Sequence, residues 1–338
     1  MIDTLVIHQT GENRQHFDLN LKKLKSLYDD ENKTSRYFRT FYEHPEKKKA
    51  PVYIEYVPSY SVEQGRLKVQ FSAPKILTGN SIENLELSGL SELQDTLEKR
   101  LKGVLNADFN NMRISRLDIC KSMDMGEETG MYLLACDNAR TGNGRYASYR
   151  FGNETVTFTN ASRRITFYDK VKECLALDRT DALARHYQKA GKNILRYEIQ
   201  HKGSKSISRH LKKNDLSIET LYRHSNKMKT EFSMYLTNEF RKFFGYTAQY
   251  EMFREQTGII YAVNSELGKR NLILKVLTKM YLLEHLQDFK PNEFVQKFYK
   301  IYSNRNIAKA RKLLNRIEKI GKMTKNDLFQ EIEMKLVA

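Results

Sequence analysis

The chain has 338 residues, with 58 Lys+Arg against 41 Asp+Glu and a formal charge of +17. At 40% hydrophobic and 29% charged residues most segments can pack, which argues against extensive disorder, and the length suits one large domain or two ordinary ones. There is no run of about 18 apolar residues and no charged-then-apolar leader, which argues against a membrane span or a secretory signal. Three cysteines (Cys120, Cys136, Cys174) without CxxC spacing argue against a disulfide framework or thiolate zinc site and point to a reducing cytoplasm.

In chain order, alternation predicts strands at Ile2–Ile7, Val52–Val57, Arg66–Phe71, Ile114–Cys120, Thr155–Thr159, Arg164–Lys170 and Ile194–Gln200. Between them, leucines at 90, 93, 97, 101 and 105 predict a helix over Ser88–Leu105, and a second is predicted over Val171–Ala190. Strand, helix, strand, hairpin, helix, strand from Arg66 to Gln200 is the split βαβ plan of a ferredoxin-like sheet. From about Ser217 the pattern turns helical: Ile218–Phe244, Ile260–Leu286, Asn292–Tyr302, Arg305–Ile320 and Lys325–Val337. The last two flank Gly321-Lys322 and read as bundle packing, with a helix–turn–helix as the alternative. The expected fold class is therefore α+β, a sheet domain over 1–205 followed by an all-α, basic region over 206–338.

The charge points to a polyanion, nucleic acid first and an acidic membrane surface second. From Ser206 onward 25 Lys+Arg face 14 Asp+Glu, a net +11 that leaves +6 for the first 205 residues. The run Lys47-Lys48-Lys49 reads as a solvated loop. The chain has 20 Tyr, 17 Phe and no Trp; some of the tyrosines could offer stacking faces to unpaired bases.

Three strands carry polar residues on one whole face. ISRLDIC puts Arg116, Asp118 and Cys120 together, ILRYEIQ does the same for Arg196, Glu198 and Gln200, and RRITFYDK for Arg164, Thr166, Tyr168 and Lys170. Each alone is an ordinary solvated strand face, and a cross-strand Arg/Glu pair is usually a surface ion pair. Together they have a chemical logic. Two hard oxygen ligands suit Mg²⁺ or Mn²⁺, and a divalent ion polarises a phosphodiester. A phenol of pKa about 10 is ionised about one part in a thousand at neutral pH, so a tyrosine nucleophile needs a cation near it. Lys170 follows Tyr168 by two.

At these residues the sequence resembles the gene II replication initiators of filamentous bacteriophages and their plasmid relatives, the II/X family. MIDTLVI is similar to that family's opening and FSAPKILTGNS to its small-residue–Pro–Lys segment. RISRLDI resembles its Arg-x-Asp strand, TVTFTNASRRITFYDKVKE its tyrosine stretch and LRYEIQ its Arg-x-Glu strand. The matches keep the family's order over residues 1 to about 205, and nothing comparable follows Ser206. The resemblance implies a rolling-circle initiator with a Rep-type nuclease sheet related to the HUH endonucleases. On it Tyr168 falls at the nucleophile, with Lys170 beside it, and Asp118 and Glu198 at the metal-holding acidic positions. Asp3 is either a third oxygen ligand or a cap on its strand's turn. The wider HUH pattern of two histidines around one hydrophobic residue is absent, so the carboxylates carry the metal expectation.

The function implied is site-specific single-strand nicking and rejoining through a 5′-phosphotyrosine, with Arg164, Arg116 and Arg196 contacting phosphate. The rivals are a non-enzymatic protein that stacks bases on exposed sheet aromatics, and a conjugative relaxase. Expected partners are origin DNA, single- and double-stranded, a host helicase and replisome, and a second copy of the chain as an option. The expected location is the cytoplasm of the host bacterial cell, with no membrane.

Overall fold

A computed structural model describes residues 1–11, 25–28, 35–44, 47–57, 65–105, 107–110, 112–126, 128–138, 146–151, 154–244 and 328–337. Ten strands form one sheet: β1 Ile2–Gly11, β2 Lys25–Tyr28, β3 Ser35–His44, β4 Lys47–Val57, β5 Gly65–Ser72, β6 Arg113–Asp124, β7 Ala147–Phe151, β8 Thr155–Thr159, β9 Arg163–Asp169 and β10 Ile194–His201. Their order is β2-β3-β4-β5-β1-β6-β10-β9-β8-β7, and every neighbouring pair is antiparallel. The α+β class expected from the sequence is the one observed.

In a fully antiparallel sheet every interior strand separates two neighbours that run parallel to each other. β5 and β6 run parallel on either side of β1, while β6 and β9 run parallel on either side of β10. The strand that separates the first pair is the N-terminal one, which lies outside the Arg66–Gln200 stretch from which a ferredoxin-like plan was read. All seven expected strands are present, and β2, β3 and β7 are additional. Lys47-Lys48-Lys49, expected in a loop, opens β4.

Alternation gives the sheet an apolar face. Ile2, Leu5, Ile7, Leu67, Val69, Phe71, Leu117, Ile119, Ile165, Phe167, Leu195, Tyr197 and Ile199 are all buried in one cluster. Helices cover them: α2 (Leu93–Leu101), α7 (Ile218–Arg223), α8 (Ser225–Phe244) and α9 (Leu328–Val337) contribute Leu97, Leu221, Phe232, Leu236, Ile332 and Leu336. Residues on both sides of the expected 205/206 cut thus share one core. Arg163 ties β9 to α8, donating to Tyr235 Oη at 3.2 Å and pairing with Glu239, and to Tyr146 Oη at 2.7 Å. On the opposite face α4 (Lys170–Leu177) and α5 (Ala182–Lys189) bury Val171, Cys174 and Ala184 with Ile82 and Ile194 in a smaller cluster.

Three expected helices are observed in pieces although their apolar periodicity continues. The leucine run 90–105 is buried throughout, but as a 3-10 turn over Leu87–Glu92 followed by α2. Val171–Ala190 splits at Asp178–Asp181, because Asp181 accepts from Ala184 N at 2.9 Å and so starts a new helix. Ile218–Phe244 splits at His224, the C-cap of α7. Lys325–Val337 is observed as Leu328–Val337. The helices expected at Ile260–Leu286, Asn292–Tyr302 and Arg305–Ile320 lie outside the described residues. Among the described residues no helix is long and apolar enough to cross a membrane.

Candidate active site

Register assembles the polar residues. On the face opposite the main core, Tyr168 of β9 stands across from Arg196 of β10, and Asp118 of β6 across from Gln200. Glu198 lies between Cys120 and Thr166, so it is a diagonal neighbour of both Asp118 and Tyr168. Asp3 joins from β1 through a register shift between Ile2 and Leu5, a local irregularity that turns an extra residue toward this face.

The tyrosine and the glutamate touch. Tyr168 Oη donates to Glu198 Oε2 at 3.1 Å. Burial, then the Glu198 carboxyl, pushes the Tyr168 phenol well above its ordinary pKa, so the phenol keeps its proton and donates it in this bond. Glu198 is itself pushed up to about 8, first by burial and then by the charges of Asp118 and Asp3. Asp118 is also raised, chiefly by burial, although Arg116 grips it from Nε (3.0 Å) and Nη2 (2.6 Å) and Gln200 Nε2 approaches at 3.3 Å. Burial works against ionising Asp3, yet Arg196, with Lys170 and Lys75, holds that carboxyl below the usual range.

Arg196 is the centre of this charge system. Fully buried, it donates from Nε to Ser122 Oγ (2.9 Å) and from Nη2 to the carbonyls of Ser81 and Ile82, while Nη1 lies 3.4 Å from Asp3 Oδ1. Its surroundings explain the FSAPKILTGNS segment. β5 ends at Ser72, whose Oγ donates to Asp3 at 3.4 Å, and Pro74 sits in the first turn of α1 (Ala73–Thr78). Gly79, at φ 81°, ends that helix in the left-handed region and turns the chain toward Ser81.

Each expected site residue has a definite place. Tyr168, Glu198, Asp118 and Asp3 share the site face, and Arg116 and Arg196 each pair with an aspartate. Arg164 is exposed at the far end of β9. Lys170 arrives differently from the strand position expected of it. It is the first residue of α4, after Asp169 caps that helix by accepting from Lys172 N at 3.0 Å. The buried Lys170 Nζ lies 5.5 Å from the Tyr168 ring centroid and 2.8 Å from Glu173 Oε2. Ser72, Ser122 and Glu173 were missed by sequence reasoning. Ser122 simply continues the alternation through Asp118 and Cys120, and Glu173 is one helical turn from Lys170.

The donor set bears on a metal. Among the described residues no group of three or more His, Cys, Asp or Glu side chains could hold an ion unaided. The diagonal Asp118–Glu198 pair supplies the carboxylate oxygens that Mg²⁺ or Mn²⁺ take with phosphate and water completing the shell, with Arg116 bonded to both Asp118 oxygens. The raised pKa values of both carboxyls describe a place where added positive charge would be favourable.

The model of the Phage_CRI family, which describes the N-terminal part of a phage replication-associated protein, matches residues 21–225. The chain belongs to this family. The match covers more than half of the chain, and runs from ahead of β2 to the start of α8; Asp118, Tyr168, Lys170 and Glu198 fall inside it and Asp3 outside. No curated protein matches the chain. The family's replication-associated character agrees with the gene II-type resemblance carried by the same strands.

One consequence can be measured without DNA. The folded chain keeps the Glu198 proton to about pH 8, whereas an ordinary glutamate releases it near 4.5. Glu198 therefore contributes stability that is complete below about pH 4.5 and lost as pH rises through about 8. In chelator-treated protein, Glu198→Gln should gain thermal stability relative to the parent as pH rises from about 5 to 8. A difference in Tm that stays flat across that range would count against the assignment.

Proposed function

We propose that the chain is a nicking–closing enzyme that starts rolling-circle replication, cutting one strand at an origin through Tyr168. The observation that carries the reading is the Tyr168 Oη–Glu198 Oε2 hydrogen bond, made beside Asp118 and Asp3 in a replication-associated family. Tyr168 Oη forms a bond to the scissile phosphorus while the bond to the 3′-oxygen breaks. The phenol gives up its proton to solvent, the departing oxygen takes one up as a 3′-OH, and the 5′ end stays on the enzyme as a phosphotyrosine. A later 3′-OH attacks that ester, restores the phosphodiester and returns the phenol, so closure needs no ATP.

Asp118 and Glu198 are the residues that would hold Mg²⁺ or Mn²⁺. When bound, the ion supplies charge to the phosphate oxygens. Glu198 holds the phenol oxygen beside that position, so nucleophile and phosphate are oriented by one strand pair. Lys170 favours the phenolate electrostatically. Arg196 fixes Asp3 and the strand end from below, which makes it a positioning residue. Arg116 and Arg164, nearer the surface, are the candidates for backbone phosphates. The reading carries with it origin DNA as substrate, a host helicase and replisome as partners, and the cytoplasm of a bacterial host as location.

The test is incubation of the full chain with a supercoiled origin plasmid, with Mg²⁺ and with chelator. The expected result is an open-circular product that carries protein through phenol extraction, formed only with the divalent ion. Relaxation without linked protein would overturn the tyrosine reading, and undiminished relaxation in chelator would overturn the metal.

A further inference from the structure

The edge strand β7 has an inverted pattern. Its partner β8 buries Val156 and Phe158 on the core face, against Phe243 and Phe244 in the case of Phe158, and turns Thr155, Thr157 and Thr159 to the site face. By register β7 sets Ser148 and Arg150 opposite the two apolar residues, and Tyr149 and Phe151 opposite Thr157 and Thr155. The strand's two aromatics therefore point away from the core, on the face that carries Tyr168. Tyr149 is 52% and Phe151 65% exposed, among the largest apolar groups left in solvent in the described residues.

Their alignment with the site is direct. Phe151 pairs with Thr155, which pairs with Tyr168, which pairs with Arg196. Tyr149 pairs with Thr157, then Thr166, then Glu198. Phe151 thus stands two strand spacings, about 10 Å, from Tyr168, and Tyr149 three, about 14 Å, from Glu198. Only threonines intervene, so the floor between is low. At one end of this floor stand two cations: Arg164, exposed, in register with Thr159, and Lys202, whose Nζ donates to Thr159 Oγ1 at 2.7 Å and Asn160 O at 2.6 Å.

We infer that Tyr149 and Phe151 form a stacking shelf for unpaired DNA bases next to the phosphodiester presented to Tyr168. Exposed aromatics stack on the faces of single-stranded bases and not on a closed duplex, whose base faces are covered. The cations at the rim supply the complementary charge for the backbone that links those bases. The inference rests on the nicking reading for its choice of DNA, and it adds a device that holds the strand melted. It also gives the base-stacking alternative a place within the enzyme instead of against it.

The experiment uses the full chain and a fluorescein-labelled single-stranded oligo-dT probe, read by fluorescence anisotropy, with light scattering on the same samples. Tyr149→Leu and Phe151→Leu keep an apolar side chain but remove the π-face. Each should weaken binding roughly tenfold, and Tyr149→Phe and Phe151→Tyr should leave it within about twofold. The dependence of binding on salt should be unchanged, because no phosphate contact is lost. Parental protein that fails to bind the probe, leucine variants that bind as the parent does, or a flattened salt dependence would each overturn the shelf. So would a dimeric parent made monomeric by the leucine changes, since β7 would then be an edge that pairs with a second copy. Loss of the phosphotyrosine product with these aromatic effects intact would overturn the nicking reading alone.

Discussion

Tyr168→Phe should yield no covalent protein–DNA product while the protein still binds origin DNA. The change removes one oxygen atom, the one that would become bonded to phosphorus, and Tyr149, the exposed tyrosine on the same face, stands two strands away on β7. Tyr197 is fully buried on the opposite face, stacked on Phe167 at 4.5 Å, and Tyr146 is engaged by Arg163. The loss in adduct yield should be at least roughly a thousandfold, as expected when a nucleophile is deleted rather than weakened. Stability should move by no more than about 1 kcal/mol, since the hydroxyl's single named partner is Glu198 and that carboxyl is readily neutral. The measurement is a denaturing gel of labelled oligonucleotide after incubation, with melting curves of both proteins. An adduct of undiminished yield would sink the assignment of Tyr168.

Removing α9 should cost far more than its ten residues suggest. Leu328, Ile332 and Leu336 are at most 2% exposed and belong to the main core. Glu331 accepts from Gly126 N at 2.8 Å and from Tyr132 Oη, and Glu333 pairs with Arg241 of α8. The carbonyl of Leu336 accepts from Lys121 Nζ (3.1 Å) and Ser233 Oγ (2.7 Å), so sheet and helix α8 are both tied to the last turn of α9. Ile332→Ala alone should lose about 2–5 kcal/mol, or about 5–15 °C in Tm. A chain stopped before Leu328 should melt lower still and bind a hydrophobic dye. Circular dichroism melts of the three proteins test this, and equal Tm values would refute it.

The site face was legible because alternation survives in any antiparallel strand. Reading every second residue of ISRLDIC and ILRYEIQ was enough to set Asp118 and Glu198 on one side. What alternation cannot carry is an irregularity or a partner. Asp3 reaches the cluster through a shifted register in β1, and its neighbour Ser72 comes from a strand sixty-odd positions away, so nothing near residue 3 announces its role. The period-2 pattern continues through Lys170 and suggests a strand, whereas the Asp169 cap starts a helix there. β7 hides for the opposite reason: ASYRF alternates aromatic with polar, but its apolar side faces out, so its pattern is not that of a buried strand. Within residues 88–105 the break is hidden by leucines whose spacing stays favourable across a change of helix type. The face was therefore readable as a set of residues, and the distances among them only from the fold.

β10 sits between β6 and β9 in the sheet although it follows both in the chain. During translation the ribosome must therefore deliver about 77 residues after β6 before the gap can close, roughly 4–15 s at ordinary elongation rates. Until then β6, and β9 once it has been made, present unpaired edges, which invites chaperone capture or association between nascent chains. Glu198 arrives with the closing strand, thirty residues after the tyrosine it binds, and α9 emerges last of all the described elements. A polypeptide lost to a premature stop codon would hold a phenol without its carboxylate or a sheet without its cover. A complete site face is thus withheld from incomplete products by the order in which the sheet is assembled.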